Sequence, residues 1–407
     1  MASVLPGVVP WCLVLVAAGG AMPDTIPEGP GLTVRDGRLY RNGRVYRGIG
    51  VNYCDLFQEL IHNPDDQRTL EGLRFLGSKG IPFVRFWCCG FWPSDWDLYF
   101  EDREEWFRRL DLVVSTAEEA GVGLIPTLFW RAHTYPDVVD EYMQDWGDPD
   151  SKTRGFMRTY VEEVVTRYKS SPAIWGWEFA NELNLSCDLP NGMEFLGQRI
   201  PALKVDLAKD ERNLMTHEIA EAVYVAFAEE VRRYDAHRFI TTGNSSPRGC
   251  AYHIGRKLEP VWGQDTREQA FEAFGWFAPD PTDVVSVHSY GDLPDKMTYA
   301  EGKGMEQNLA TLKEFARKLN KPLFLGEFAG LAPDKTELAP RFREYQTAYL
   351  DTILKEGVDL AAYWVFDYTR DREGLGLVRR DNEWAWVVDQ IAEYNERIAR
   401  ELAQERQ

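Results

Sequence analysis

The feature that most limits how this chain can fold is an alternation. From residue 47 onward, short apolar runs take turns with longer amphipathic ones. The apolar runs lie at 47–52, 82–87, 123–129, 173–178, 239–242, 284–287, 322–326 and 360–365. They are near-continuously hydrophobic, as strands covered on both faces are. The stretches between them predict helices over 65–79, 103–120, 152–168, 213–234, 267–274, 305–319, 341–355 and 384–402. Leu70, Leu73 and Leu76 share one helical face, as do Leu110, Val113 and Val114. Gly80 and Gly121 stand just past those two helices, where a left-handed C-terminal cap is wanted. Eight strand–helix pairs in strict order predict an α/β fold, a parallel (β/α)8 TIM barrel. A doubly wound open sheet normally shows a glycine-rich phosphate loop after an early strand. Neither GxGxxG nor GxxxxGK(S/T) occurs here.

Ahead of the barrel, residues 1–21 read as a secretory signal. Residues 8–18 are largely apolar, and Ala18, Gly19, Gly20 and Ala21 offer the small side chains that a signal peptidase accepts. The run is too short for a membrane span and is broken by Pro10. A secreted or periplasmic protein, free of the membrane once the signal is removed, is therefore expected. Residues 22–46 form a leader and a hairpin. Asp36-Gly37 and Asn42-Gly43 are dipeptides of tight hairpin turns, and the hairpin is expected to plug one end of the fold. Residues 47–407 then form one catalytic domain. Cys54, Cys88, Cys89, Cys187 and Cys250 have no framework spacing, so small buried thiols with at most one disulfide are expected.

In a parallel barrel, catalytic side chains sit where strands end. The run Ala173-Ile174-Trp175-Gly176-Trp177-Glu178-Phe179-Ala180 opens as a strand and ends in Asn181-Glu182. The run from Lys321 to Gly326 ends in Glu327. Two carboxylates at two strand exits are the minimum apparatus for glycoside hydrolysis, one protonating the leaving oxygen and one attacking carbon or activating water. Arg85, His133, His288, Tyr290 and Trp364 stand at other strand ends, and Glu178, Asp137 and Asp367 are further acids near the same face for which a binding role is open. The loops after strands three, four, five, six and eight are long, and in a barrel they share one face and wall a cleft. A formal net charge of −19 repels phosphate backbones, which points away from nucleic acid and toward a neutral polymer. The 14 tryptophans suit stacking on sugar rings as well as core packing.

These residues resemble glycoside hydrolase family 5, in the clan of retaining (β/α)8 glycosidases with glutamates after strands four and seven. The matching positions are Arg85 in Phe83-Val84-Arg85-Phe86, His133 in Trp130-Arg131-Ala132-His133, Asn181-Glu182, His288-Ser289-Tyr290, Glu327 in Gly326-Glu327-Phe328, and Trp364. The resemblance spans about residues 47–400. It implies that Glu182 is the acid/base and Glu327 the nucleophile. For acid work Glu182 needs a raised pKa, whereas Glu327 needs a cation or donors to steady its charge. Arg85 and Tyr290 are the expected donors to Glu327. Asn181 is expected on the sugar 2-hydroxyl, His133 and His288 as orienting groups, and Trp364 as the floor under the sugar. Family members often have Pro directly after the Asn–Glu pair; Leu183 stands there instead, so the loop begins differently. The Trp177–Glu182 pattern is similar to the mannanase branch.

The resemblance implies a β-linked glycan as partner, with β-mannan, cellulose, other β-glucans and short oligosaccharides all open. It implies no cofactor and no metal, and a monomer is expected. Two rivals differ in class. A metal-dependent barrel hydrolase would want paired histidines, but His62, His133, His217, His237, His253 and His288 form no HxH pair, and His217-Glu218 lacks the second His of HExxH. A non-catalytic carbohydrate-binding barrel of the same fold would bind without turnover.

Overall fold

The computed structural model describes residues 29–196, 210–290, 304–329, 338–368, 378–382 and 384–405. The segment read as a secretory signal lies outside these residues, as do most of the leader and parts of several long loops.

Eight parallel strands form the centre: β1 (Gly48–Asn52), β2 (Phe83–Trp87), β3 (Gly123–Thr127), β4 (Gly176–Glu178), β5 (Phe239–Thr241), β6 (Val285–His288), β7 (Leu323–Phe328) and β8 (Leu360–Tyr363). Each pairs with its sequence neighbour, and β8 returns to β1 with Leu360 opposite Gly48 and Tyr363 opposite Val51. Between β5 and β6 the contact is a bridge, Thr241 with Val284, which brings the ring round to a nearly closed barrel. Every strand residue is buried. Strands hidden on both faces must be apolar nearly throughout, which explains the unbroken runs in the sequence.

The helices fall between the strands as the periodicity predicts. Arg103–Ala120 and Lys152–Tyr168 have the expected bounds. Asp102 and Ser151 cap them, accepting from Glu105 N and Arg154 N. Gly121, at φ 69°, ends the first in the left-handed conformation that glycine adopts without strain. Short helices that were not expected include Leu56–His62 after β1 and Ala251–Arg256 after β5; six or seven residues are too few to show a period. The seventh strand runs further than its apolar stretch suggests, carrying Glu327 within it rather than beyond it.

The floor of the barrel is apolar and plugged. Phe83, Ile125, Trp175, Phe239, Val284, Phe324 and Leu360 form one cluster with Leu32 and Leu39 of the N-terminal segment. That segment is a three-stranded antiparallel sheet, Thr33–Arg35, Arg38–Arg41 and Arg44–Val45, rather than a single hairpin. Its turns hold Asp36 and Gly37 at φ 49° and 68°, and Asn42 and Gly43 at φ 50° and 71°. Both positions of each dipeptide thus take the positive φ of a tight hairpin turn. Leu32 N donates to Trp175 O (2.9 Å) and Phe239 N donates to Leu32 O (2.9 Å), so the leader is stitched onto the barrel base.

The cysteines Cys54, Cys88, Cys89 and Cys187 are buried, Cys250 is half-buried, and all five are free thiols. No helix among the described residues is long and apolar enough to cross a membrane.

Leu39 is fully buried in the plug. Leu39→Ala is expected to cost about 2–5 kcal/mol of stability, measured by denaturant unfolding, because the rigid ring of strand ends cannot collapse into the space left.

Candidate active site

The polar residues of the site gather at the opposite end of the barrel, where the strands stop. After β4 the chain is clamped by both neighbours. Phe179 N donates to Thr241 O (3.0 Å), Asn181 N to Trp130 O (3.0 Å) and Glu182 N to Gly243 O (2.9 Å). Glu182 itself has a left-handed backbone, φ 52° and ψ 30°, which turns the chain sharply out of the strand. Gly243 (φ +74°) permits the close approach: a Cβ there would lie 1.8 Å from Ala180 O.

Arg85, fully buried on β2, joins the strands at this level. Its Nε donates to Glu178 Oε1 (2.7 Å). Its NH1 donates to Asn52 Oδ1 (3.1 Å) and Glu327 Oε1 (3.0 Å), and its NH2 to Asn181 Oδ1 (2.8 Å). The guanidinium lies 4.4 Å from the centroid of the Trp130 ring. Thr127 Oγ1 adds a second donor to Glu178 Oε1 at 2.5 Å. Asn52 turns its amide to Gly326 O (2.9 Å) and Ala362 O (3.1 Å), which ties β1 to β7 and β8.

Glu327 is held from three sides. Besides Arg85, the Tyr290 hydroxyl donates to its Oε2, and His288 Nδ1 lies 3.5 Å from its Oε1. The same Nδ1 donates to Glu182 Oε1 at 2.9 Å, so one imidazole bridges the two glutamates. Oxygens of Glu182 and Glu327 lie within 4.8 Å of one another. Gly326 makes room for that imidazole, since a Cβ at 326 would lie 2.9 Å from His288 Nε2.

The protonation tendencies correct the expectation drawn from sequence. Burial pushes the Glu327 carboxyl up, and the charge of Glu182 adds to this, against the pull of His288, Arg85 and Tyr290. Burial also pushes Glu182 up, but the hydrogen bond and charge of His288, with Ser245 and Arg85, outweigh it and hold the carboxyl below its ordinary value. In the free site the raised group is thus Glu327, not Glu182. Glu327 is the more deeply buried of the two, and Glu182 receives the closer hydrogen bond of His288 together with that of Ser245.

Trp364, partly exposed after β8, lies nearly parallel to Trp130, with centroids 6.4 Å apart and planes at 19°. Trp130 continues to Trp87 (5.3 Å), and Trp87 to Phe91 (4.3 Å, stacked), so the partly exposed Trp364 ring is backed by the buried rings of Trp130 and Trp87. Arg131 lies over Phe91 and Trp92 at 4.8 and 4.5 Å. His133 is bonded at 2.7 Å to Ser186 Oγ, so it ties the loop after β3 to the turn that follows Glu182. Arg85, Asn181, Glu182, His288, Tyr290 and Glu327 come together in one hydrogen-bonded set. Trp364 joins them through the rings, and His133 through the loop. Sequence reasoning missed Asn52 and Thr127, and left Glu178 as one of several acids near this face. Their only signal is a polar residue inside an apolar run.

A separate group, Asp188, His217 and Glu218, brings carboxylates and an imidazole within 4.8 Å of one another outside this set. His217 Nδ1 donates to Asp188 Oδ2 (2.9 Å) and the ring stacks on Trp276, which fits an anchor for the start of its helix.

A family model described as cellulase (glycosyl hydrolase family 5) matches residues 51–369. The chain belongs to glycosyl hydrolase family 5. It is 30% identical over 146 residues to mannan endo-1,4-beta-mannosidase F of Aspergillus fumigatus, covering 30% of this chain and 32% of that one. It is 35% identical over 82 residues to a probable mannan endo-1,4-beta-mannosidase A-2 of Aspergillus terreus, covering 18% of this chain and 20% of that one. The chain thus spans a third or less of these relatives' length. Among solved structures, an endo-1,4-beta-mannanase from Rhizomucor miehei superposes with a TM-score of 0.63 at 16% identity, covering 91% of this chain and 99% of that one. An endocellulase from Pyrococcus horikoshii gives 0.58 at 14%, covering 91% and 100%. The family-5 barrel fold is therefore shared along nearly the whole chain.

Gly326→Ala is expected to displace the His288 imidazole, visible in a crystal structure of the variant. The crowding should cost about 1–3 kcal/mol in denaturant unfolding.

Proposed function

We propose that the protein is a glycoside hydrolase that cleaves β-linked glycans by double displacement with retention, Glu327 acting as nucleophile and Glu182 as acid/base. The observation that carries this is the spacing of the pair. Oxygens within 4.8 Å suit direct attack by one carboxylate, where carboxyls stand about 5–5.5 Å apart. An inverting enzyme needs about 6.5–9.5 Å to seat a water between them.

The donors support the same division of labour. Arg85 and Tyr290 both face Glu327, where they steady the carboxylate before attack and as it leaves. Asn181, oriented by Arg85, is placed to meet the sugar 2-hydroxyl, and Trp364 to lie under the ring at the cleavage point. His133 helps set the shape of the loop mouth. For the first step Glu182 must carry a proton. Glycan binding is therefore required to draw Glu182 from His288 toward the glycosidic oxygen. With that hydrogen bond gone, burial is the dominant influence and raises the carboxyl. In the second step Glu182 takes a proton from water, which attacks the sugar carbon and releases Glu327.

β-Mannan is the first substrate to test, because the named relatives are mannan endo-1,4-beta-mannosidases. β-Glucan comes second, because the solved neighbours include an endocellulase. Endo attack fits those same names. The apolar run and small residues within 1–21 support export, so the polymer is met outside the cytoplasm.

The test is sugar release from mannan, glucomannan, carboxymethylcellulose, mixed-linkage glucan and xylan, with Glu327→Ala beside the wild type. Release that disappears in the variant, which should fold normally, is expected. Undiminished release would remove Glu327 from the mechanism, and silence on every polymer and on aryl β-glycosides would favour a binding-only barrel. Glu182→Gln should lose at least about 10²-fold on polymer but far less on aryl glycosides with good leaving groups, which need no acid in the first step. Equal losses on both would remove Glu182 as the acid. One proton on the glutamate pair makes the competent free enzyme; since burial makes Glu327 the raised member, its ionisation sets the alkaline limb of kcat/KM, and activity should fall as pH rises through a value above the ordinary ~4.3 of glutamate; an alkaline limb below that value would contradict the assignment.

A further inference from the structure

The site holds a third carboxylate that the mechanism does not use. Glu178 is fully buried, three residues before Asn181, and it shares Arg85 with Glu327. The guanidinium is closer to Glu178, at 2.7 Å, than to Glu327, at 3.0 Å. Glu178 Oε1 collects both Arg85 Nε and Thr127 Oγ1, while its Oε2 is buried without a hydrogen-bond partner. A buried carboxylate is costly to keep. If Arg85 served Glu327 alone, an apolar residue on β4 would fill this space at less cost.

We propose that Glu178 is a positioning residue that divides the charge of Arg85, and thereby sets how readily Glu327 ionises and how strongly it attacks. This rests on the assignment of Glu327 as nucleophile. One guanidinium facing one carboxylate would hold Glu327 as a very stable, weakly nucleophilic anion. With Glu178 on the other side, part of that field is cancelled and Glu327 keeps more of its basicity. At the same time, the fork of Arg85 is fixed in the plane that reaches both Glu327 and Asn181.

The groups facing Glu327 come from every neighbouring element. They are Arg85 from β2, Glu182 beyond β4, His288 and Tyr290 at the end of β6, and Cys54 after β1. Burial keeps Tyr290 and Cys54 in their uncharged forms by pushing the phenol and the thiol well up. Removing Glu178's charge leaves Arg85 as the nearest uncancelled charge on Glu327.

The experiment is the pH profile of kcat/KM on an aryl β-glycoside for wild type, Glu178→Gln, and the double variant Arg85→Met/Glu178→Gln. In Glu178→Gln the alkaline limb, set by Glu327, should move down by about one pH unit, the scale on which a single neighbouring charge acts. The double variant removes one charge of each sign, so the net charge of the set is that of the wild type, and it should move the limb up because Glu327 has lost its cation. A purely structural role lowers the plateau or the stability and leaves both limbs in place. Unmoved limbs, or limbs moved in the same direction, would overturn the proposal. If Glu327→Ala is inactive while the limbs stay put, only this inference falls. If Glu327→Ala keeps full activity, the assignment of the nucleophile falls with it.

Discussion

Arg85 carries a full positive charge into the barrel with no exposed surface, and the catalytic end is arranged around it. A buried guanidinium is tolerable only if nearly every N–H finds an acceptor. Here β1, β4, β7 and the turn after β4 each supply one, through Asn52, Glu178, Glu327 and Asn181. Breaking such a set by removing one partner costs roughly 3–5 kcal/mol. The same bonds that make the charge bearable therefore lock four parts of the ring in register, and hold Glu327 on a rigid strand rather than on a loop.

The barrel separates two jobs along its axis. Its base is filled by aromatic and branched side chains and sealed by Leu32 and Leu39, so no water is needed there. Its upper end is polar, and the residues that point inward are charged or amide-bearing. Stability comes from the first layer and supports the strained features of the second. Among these are the left-handed backbone of Glu182 and the tight passage at Gly243. At this end the partly exposed ring of Trp364 offers a flat face suited to a sugar, backed by the buried rings of Trp130 and Trp87.

Much of this was legible from the sequence because parallel barrels place chemistry at strand exits. Asn181-Glu182, His288, Tyr290 and Trp364 each interrupt or follow an apolar run, and their order alone places them on one face. Glu327 was found by the same logic although β7 continues through it. Asn52, Thr127 and Glu178 were harder, because each is the last residue of its strand and reads as an ordinary break in hydrophobicity. Only the hydrogen bonds show what they do: Asn52 and Glu178 accept from Arg85, and Thr127 donates to Glu178. The protonation order was not legible at all. It depends on how deeply each carboxylate is buried and on which one the His288 ring nitrogen approaches more closely, 2.9 against 3.5 Å, and no pattern of residue types encodes either.

The account stands or falls on whether Glu327 attacks the sugar directly. The most direct measurement is proton NMR of the first-formed product from a β-linked oligosaccharide, recorded before the anomers equilibrate. Double displacement predicts that the β anomer appears first and α grows in later by mutarotation. An α product from the first turnover would mean that water, not Glu327, reaches the anomeric carbon, and would contradict the mechanism.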